Sequence, residues 1–193
     1  MTNTTVKVVH DNIQHRQSVG HLVEPAPNKQ QLDLAFTAAL TAPDHHRLKP
    51  TRFVVIENNQ RAAFGELLAQ AMQQDFPETD PVQIERVKNH PFRAPILVLA
   101  LTQIVEHPKV PAYEQILSSG AAVENFLLSL QSQGFATMWR TGAVVESVTL
   151  KAALGLQAHD LISGIIYVGT ADKQLPARAT VDLAAYVRYW SAP

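Results

Sequence analysis

The stretch from Tyr113 to Gln133 constrains this chain more than any other. At helical spacing Ile116, Gly120, Val123, Leu127 and Leu130 form one stripe, while Leu117, Ala121, Phe126 and Leu128 carry apolar surface most of the way round. A helix apolar on every side has to be buried, as the axis of a core or at an interface between chains. Gly120-Ala121-Ala122 would admit another backbone closely, which suits either role, and Gly134 is placed to cap the C-terminus. The composition, 46% hydrophobic against 17% charged, is short of surface charge and points towards surface hidden in an oligomer.

Around this helix the periodicity alternates. A short helix is expected over Val8–Arg16, and a second over Lys29–Ala42, capped by Asn28 and ended by Pro43. The β-branched and aromatic run Arg52–Ile56 reads as a buried strand, followed by a helix over Arg61–Gln74. Asp75–His90 is charged and broken by prolines, so an excursion with one helix after Pro81 is expected, a candidate lid. Ile96–Leu101 is apolar almost throughout and should be a central strand. A short strand at Ala136–Trp139, a helix over Ser147–Leu154 and a strong strand over Leu161–Val168 complete the pattern. The expectation is a single domain over residues 1–193, with a central mixed sheet covered by helices on both faces.

Absences narrow the chemistry. There is no Cys, which removes disulfides, thiolate metal sites and dithiol redox chemistry, so any redox reaction must borrow a cofactor. The formal charge of −1 supplies no general field for nucleic acid or anionic lipid. No apolar run is long enough to span a membrane and the first ten residues lack a signal core, so a cytoplasmic protein is expected. The signatures of Rossmann dehydrogenases, P-loop NTPases, zincins and α/β-hydrolases are missing. Among eight histidines, His45-His46 are adjacent and therefore poorly placed to share an ion, and no metal site is expected.

Two constellations could hold a ligand. Arg16-Gln17-Ser18 combines a planar fork of donors with a hydroxyl before a turn, which suits phosphate; equally, an Arg there could complement a helix C-terminus. Trp139-Arg140-Thr141-Gly142 sets a large aromatic and a cation beside a freed backbone, which suits a flat ligand; equally, it could be a core Trp, a solvated Arg and a turn. Spacing alone reaches a ligand-binding α/β domain and stops there.

Taken together, six segments in register over residues 10–172 resemble the FMN-dependent nitroreductase family. They are Ile13–Val19 with Glu24–Pro27; Ala42–His46 with Pro50; Pro91–Pro95; Lys109–Pro111 with Glu114-Gln115; Gln133–Phe135 leading to Trp139–Gly142; and Ile165–Thr170. The resemblance is closest to the family's small, minimal bacterial NAD(P)H nitroreductase branch. It implies an α+β fold, a three-layer α/β/α sandwich that dimerises through long central helices, with FMN at the interface of the homodimer. Carried over by that resemblance, Arg16, Gln17 and Ser18 would hold the FMN phosphate and ribityl chain. Thr41 and His45 would reach the cofactor from the other subunit, and Trp139, Arg140, Thr141 and Gly142 would lie beside the isoalloxazine ring. Ser129–Gly134 corresponds to a stretch proposed to meet the nicotinamide dinucleotide.

The implied activity is ping-pong hydride transfer from NADH or NADPH through FMN to a small electron-poor acceptor such as a nitroaromatic or quinone. No side chain is expected to act as acid, base or nucleophile. The alternatives are a flavin-dependent dehydrogenase or ene-type reductase of a metabolite, and a non-catalytic dimeric module that has lost FMN. Three departures bear on FMN affinity and substrate shape: Gln17 stands where members often have Arg, Thr41 where this branch carries Arg, and Lys49-Pro50-Thr51 where Gln-Pro-Trp is common.

Overall fold

The computed structural model describes residues 2–173 and 175–191. Its frame is an antiparallel sheet whose centre is β3 (Ile96–Thr102), buried at every position as its unbroken apolar sequence requires. On one side β3 pairs with β2 (Thr51–Glu57); on the other it pairs with β5 (Leu161–Ala171). The far edge of β5 is shared end to end by β4 (Ala136–Arg140) and the two-residue β1 (Leu22–Val23). The sheet was expected to be mixed, but every pairing between named strands is antiparallel, and the one parallel contact is the isolated bridge Ser18–Thr137. Alternating helices and strands suggested paired parallel strands; instead β3 and β4, which run the same way, lie on opposite sides of β5 and never pair.

Strand alternation divides the core in two, which makes the three layers. Leu97, Leu99, Leu101, Ile165 and Tyr167 face α3 (Gln60–Asp75), α4 (Pro81–Asn89) and α6 (Val148–Ala153). Ile96, Val98, Ala100, Ile166 and Val168 face α2 (Lys29–Ala39) and α5 (Ala112–Ser132). On that second face the rings of Phe36, Phe53 and Phe126 lie 5.0–5.6 Å apart, tying α2, β2 and α5 together.

Local signals explain the ends of these elements. Asn28 and Gln31 make a reciprocal capping box on α2, which stops at Ala39 instead of running to Ala42. Gly134 follows α5 at φ 89°, the left-handed conformation that a helix-ending glycine supplies. Asp80 caps α4, and Pro81 stands in its first turn, as the sequence suggested. The first helix, α1 (Thr2–His15), begins earlier than expected and leaves Val6, Val8, Val9 and Ile13 exposed.

Half of α5 is uncovered. The buried positions are Gln115, Ser118, Ser119, Ala122, Val123, Phe126, Leu127 and Leu130, a stripe at 3–4 spacing. Leu117 is 68% exposed and Tyr113 61%, with Ile116 beside them and Gly120, Ala121 and Leu128 only half-buried. Burial on every side, expected from the sequence, is therefore not achieved within one chain.

Candidate functional site

The N-terminal constellation and the Trp139 constellation lie side by side. After α1 the chain runs along the free edge of β4: Ser18 bridges Thr137, and the Val19 amide donates to the Thr137 carbonyl at 3.0 Å. Arg16 turns towards α5, where its Nε lies 3.3 Å from Glu124 Oε1. Its side chain is only 17% exposed, so much of the cost of its desolvation rests on one half-exposed carboxylate. Gln17 donates to the Pro176 carbonyl at 3.0 Å. Together with His15, Gln131, Thr137, Thr170 and Lys173, it lines an open cleft of about 530 Å³. Gly134 also borders this cleft, so the end of the Ser129–Gly134 stretch opens onto it.

Alternation sends the side chains of Trp139 and Arg140 to opposite faces of the sheet. Trp139 donates its indole N–H to the Ser163 carbonyl at 3.0 Å. That carbonyl is available because Ser163 is the extra residue where the β3–β5 register shifts at Ala100/Leu101. Gly164 lets the indole settle there, since a Cβ at that position would stand 2.1 Å from Trp139 Nε1. Arg140 goes to the α3 face: its guanidinium carbon sits 5.9 Å from the centre of the Tyr167 ring, and its Nη2 reaches towards Gly20. Its Nε is buried with no hydrogen-bond partner. An orphaned buried donor costs about 1–3 kcal/mol, more when charged, unless a ligand supplies the acceptor.

Beyond Arg140 the chain turns through Thr141 and Gly142, the latter at φ 136° with open space on its Cβ side. Under this turn lies a narrower cavity of about 130 Å³ that also exposes His90 and Tyr167. His90 is held down to about 4, chiefly by burial and then by the positive charges of Arg93 and Arg140, so its imidazole is neutral at neutral pH. Burial pushes the Tyr167 phenol up, while the same two arginines pull the other way. Sequence reading assigned no site role to His90, nor to Arg93 and Tyr167, which stand only within the segments Pro91–Pro95 and Ile165–Thr170. The available signal was a tyrosine in the middle of an apolar strand, in phase with Ile165.

Thr41 and His45 stand elsewhere. Thr41 is exposed after α2, its hydroxyl donating to the Ala38 carbonyl at 2.7 Å. His45 Nδ1 lies 2.6 Å from Glu114 Oε2, at the start of α5. Ten residues separate Glu114 from Glu124, roughly 15 Å along a helix, so one chain does not bring His45 to Arg16. The loop holding His45 is closely specified: His46, Arg47 and Lys49 all have positive φ, and the Asp44 carboxylate accepts from the Leu48 and Lys49 amides. Among the described residues no cluster of three or more His, Cys, Asp or Glu could hold a metal, and no helix is long and apolar enough to cross a membrane.

Comparison with known proteins shows the family and the fold. The model of the Nitroreductase family matches residues 13–170. The protein named "Putative NAD(P)H nitroreductase YdjA" of Escherichia coli K12 is 36% identical over 169 residues, covering 88% of this chain and 90% of its own. A nitroreductase-like family protein of Bacillus cereus superposes with a TM-score of 0.80 at 20% identity, over 95% of this chain and 96% of the other. NfnB of Sphigopyxis sp. strain HMH, described as an FMN and NADPH-dependent nitroreductase, gives a TM-score of 0.74 at 17% identity, over 95% and 99%. At these identities the two solved structures speak for the fold.

Proposed function

This chain belongs to the nitroreductase family, and from that premise we propose that it is an FMN-dependent NAD(P)H oxidoreductase, a cytoplasmic homodimer with one FMN-binding domain over residues 1–193. The observation that carries the reading is the uncovered side of α5. Tyr113, Leu117, Gly120, Ala121, Glu124 and Leu128 follow one another at helical spacing, with the small pair in the middle. Two copies crossing antiparallel at Gly120-Ala121 set Leu117 of one opposite Glu124 of the other, and bring Glu114 to the level of Leu127, less than one turn from Glu124. His45, which sits on Glu114, then approaches the partner's Arg16. Two groups that one chain keeps about 15 Å apart become one site, in two equivalent copies. Exposed Leu183, Tyr186, Tyr189 and Trp190 in the C-terminal segment add apolar surface for the same partner.

The residues present fit FMN. Arg16 offers a guanidinium and Ser18 a hydroxyl to the phosphate, with Gln17 beside the ribityl chain. Thr41 and His45 close the site from the second subunit. The open space beside Gly142 admits a flat ring against backbone, and the orphaned Arg140 Nε is a donor in want of an acceptor. When bound, FMN supplies the hydride relay, in ping-pong order, from NADH or NADPH to an electron-poor acceptor such as a nitroaromatic or quinone. The protein's part is to position the ring, keep one face open to donor and acceptor in turn, and exclude water elsewhere. That Gln131 and Gly134 line the cleft supports giving the stretch Ser129–Gly134 the nicotinamide dinucleotide.

Purified protein incubated with FMN and desalted should stay yellow, bleach with NADPH or NADH under anaerobic conditions and recolour with a quinone or nitroaromatic. Protein that remains colourless, with no FMN bound at equilibrium dialysis, would overturn the proposal.

A further inference from the structure

In the proposed function the dinucleotide takes the cleft at the start of β4, where Ala136 and Thr137 stand with Gln131 and Gly134. The other end of β4 opens on the narrower cavity, bordered by Val87 of α4 and by His90 just after it. A further cleft of about 360 Å³, a volume in the range of small-molecule sites, lies on the adjoining side of α4. Its lining residues Val82, Glu85, Arg86, Asn89 and Arg93 follow one another at helical spacing, next to the stripe that carries Val87 and His90. Neither guanidinium in this cleft has a partner. Lys88 pairs with Glu66 at 2.8 Å and Arg61 donates to the Ala94 carbonyl at 2.8 Å, but among the described residues Arg86 and Arg93 make no ion pair and no side-chain hydrogen bond. Arg93 is half-buried, and its positive charge is felt at His90 and Tyr167 in the narrower cavity, so the two spaces share its field. The carboxylate present, Glu85, accepts from Asn89 Nδ2 at 2.8 Å. Two guanidiniums and one carboxylate leave the cleft one positive charge, which a carboxylate would neutralise and a phosphate dianion would exceed.

We propose, on the reading of the preceding subsection, that the cleft on α4 selects the electron acceptor: it holds the carboxylate of a small aromatic acid between Arg93 and Arg86, with the electron-poor end of the acid directed to the cavity beside His90. The acceptor class is then anionic, a nitrobenzoate or a carboxylated quinone, in preference to a neutral arene. A guanidinium offers a carboxylate two parallel N–H donors, which fixes its orientation as well as its charge. Half-buried Arg93 carries more of the recognition than exposed Arg86, whose charge is screened by water. Donor and acceptor visit in turn, so the acceptor's charged group can be recognised at a place the dinucleotide does not use.

Two measurements on the FMN-loaded protein test this. Calorimetric titration with benzoate and with benzamide, its neutral isostere, reads recognition without turnover. Benzoate should bind wild type about tenfold tighter, the low end for charge-assisted hydrogen bonds at a partly exposed site. Arg93→Gln should erase most of that difference, Arg86→Gln a smaller part, and Arg93→Lys should keep some of it. In the second measurement the NADPH-reduced protein is mixed with 4-nitrobenzoate or 4-nitrobenzamide, each nitro group taking two electrons and two protons to give nitroso and water. Arg93→Gln should slow reoxidation by the acid about tenfold below saturation, and leave reoxidation by the amide and reduction by NADPH near the wild-type rates. Variants that lose the acid and the amide alike overturn the proposal, as does loss of the NADPH reaction instead, which would give the cleft to the dinucleotide. A wild type that turns over but ignores the charge of benzoate and of the acceptor overturns it and leaves the preceding reading standing. A wild type that binds no FMN removes both.

Discussion

At the scale of single residues the candidate site is governed by a few side chains whose environments are expensive. Arg16 is mostly buried against one half-exposed carboxylate, and the proposed function gives its guanidinium the FMN phosphate as a further partner. Replacing it by Ala should weaken FMN binding by about 1.5–3 kcal/mol, the range for a charge-assisted hydrogen bond; fluorescence titration of FMN measures this, and unchanged affinity would remove Arg16 from the site. Gly164 is fixed by the indole above it, so Gly164→Ala must displace Trp139 and should cost about 1–3 kcal/mol in urea denaturation, the usual price of overpacking. His90 sets a pH dependence. Its folded-state value of about 4 lies below the ordinary 6.5, so between those values the unfolded chain binds more protons. The stability it contributes is complete above pH 6.5 and is lost as the pH falls towards 4. Thermal unfolding of His90→Gln should show a shallower acid decline over that interval than wild type.

At the scale of elements, what holds each helix is legible in a few bonds. Ser147 is fully buried and caps α6, accepting from the Leu150 amide at 3.0 Å while donating to Asp75 at the end of α3. Ser147→Ala should cost about 0.5–2 kcal/mol for the lost cap, seen in chemical denaturation. Asp75 also accepts from the Thr149 amide at 2.9 Å, and these hydrogen bonds, the one from Ser147 first, hold its carboxyl below the usual range. Its contribution is present above the ordinary carboxylate pKa and fades as the pH drops through the lowered one. Phe126 anchors α5 in the aromatic trio with no exposed surface, and Phe126→Ala should destabilise the protein by about 3–5 kcal/mol. Most elements were visible in the sequence because their cause is local: Asn28 starts a helix, Pro81 opens another, Gly134 ends α5. The two-residue β1 was not visible, since nothing in Leu22-Val23 marks a strand until the end of β5 is beside it.

At the scale of the whole molecule, one chain leaves an apolar stripe of α5 open. Leu117→Glu places a charge in the middle of the uncovered stripe of α5 and should convert the proposed dimer to monomer in sedimentation analysis. FMN affinity should fall with it, because in the proposed homodimer Thr41 and His45 come to the site from the second copy. A dimer that persists with full FMN affinity would move the interface off α5. The Arg16 and Trp139 segments could be picked out from sequence as places for an anion and a flat ligand, and the family resemblance joined them. Their adjacency along the edge of β4, the turn of Arg140 towards Tyr167, and the presence of His90 in the same cavity could not be picked out.

What the sequence determined by itself is whatever short-range physics decides: periodicity, caps, turn glycines, the apolar central strand and the absence of any thiol. The antiparallel course of the sheet, the register shift that frees the Ser163 carbonyl for Trp139, and the gathering of cations round Tyr167 came only with the tertiary structure. Each depends on residues tens of positions apart meeting across strands, and hydrogen-bond register and burial fix such meetings collectively, with no mark at either residue alone.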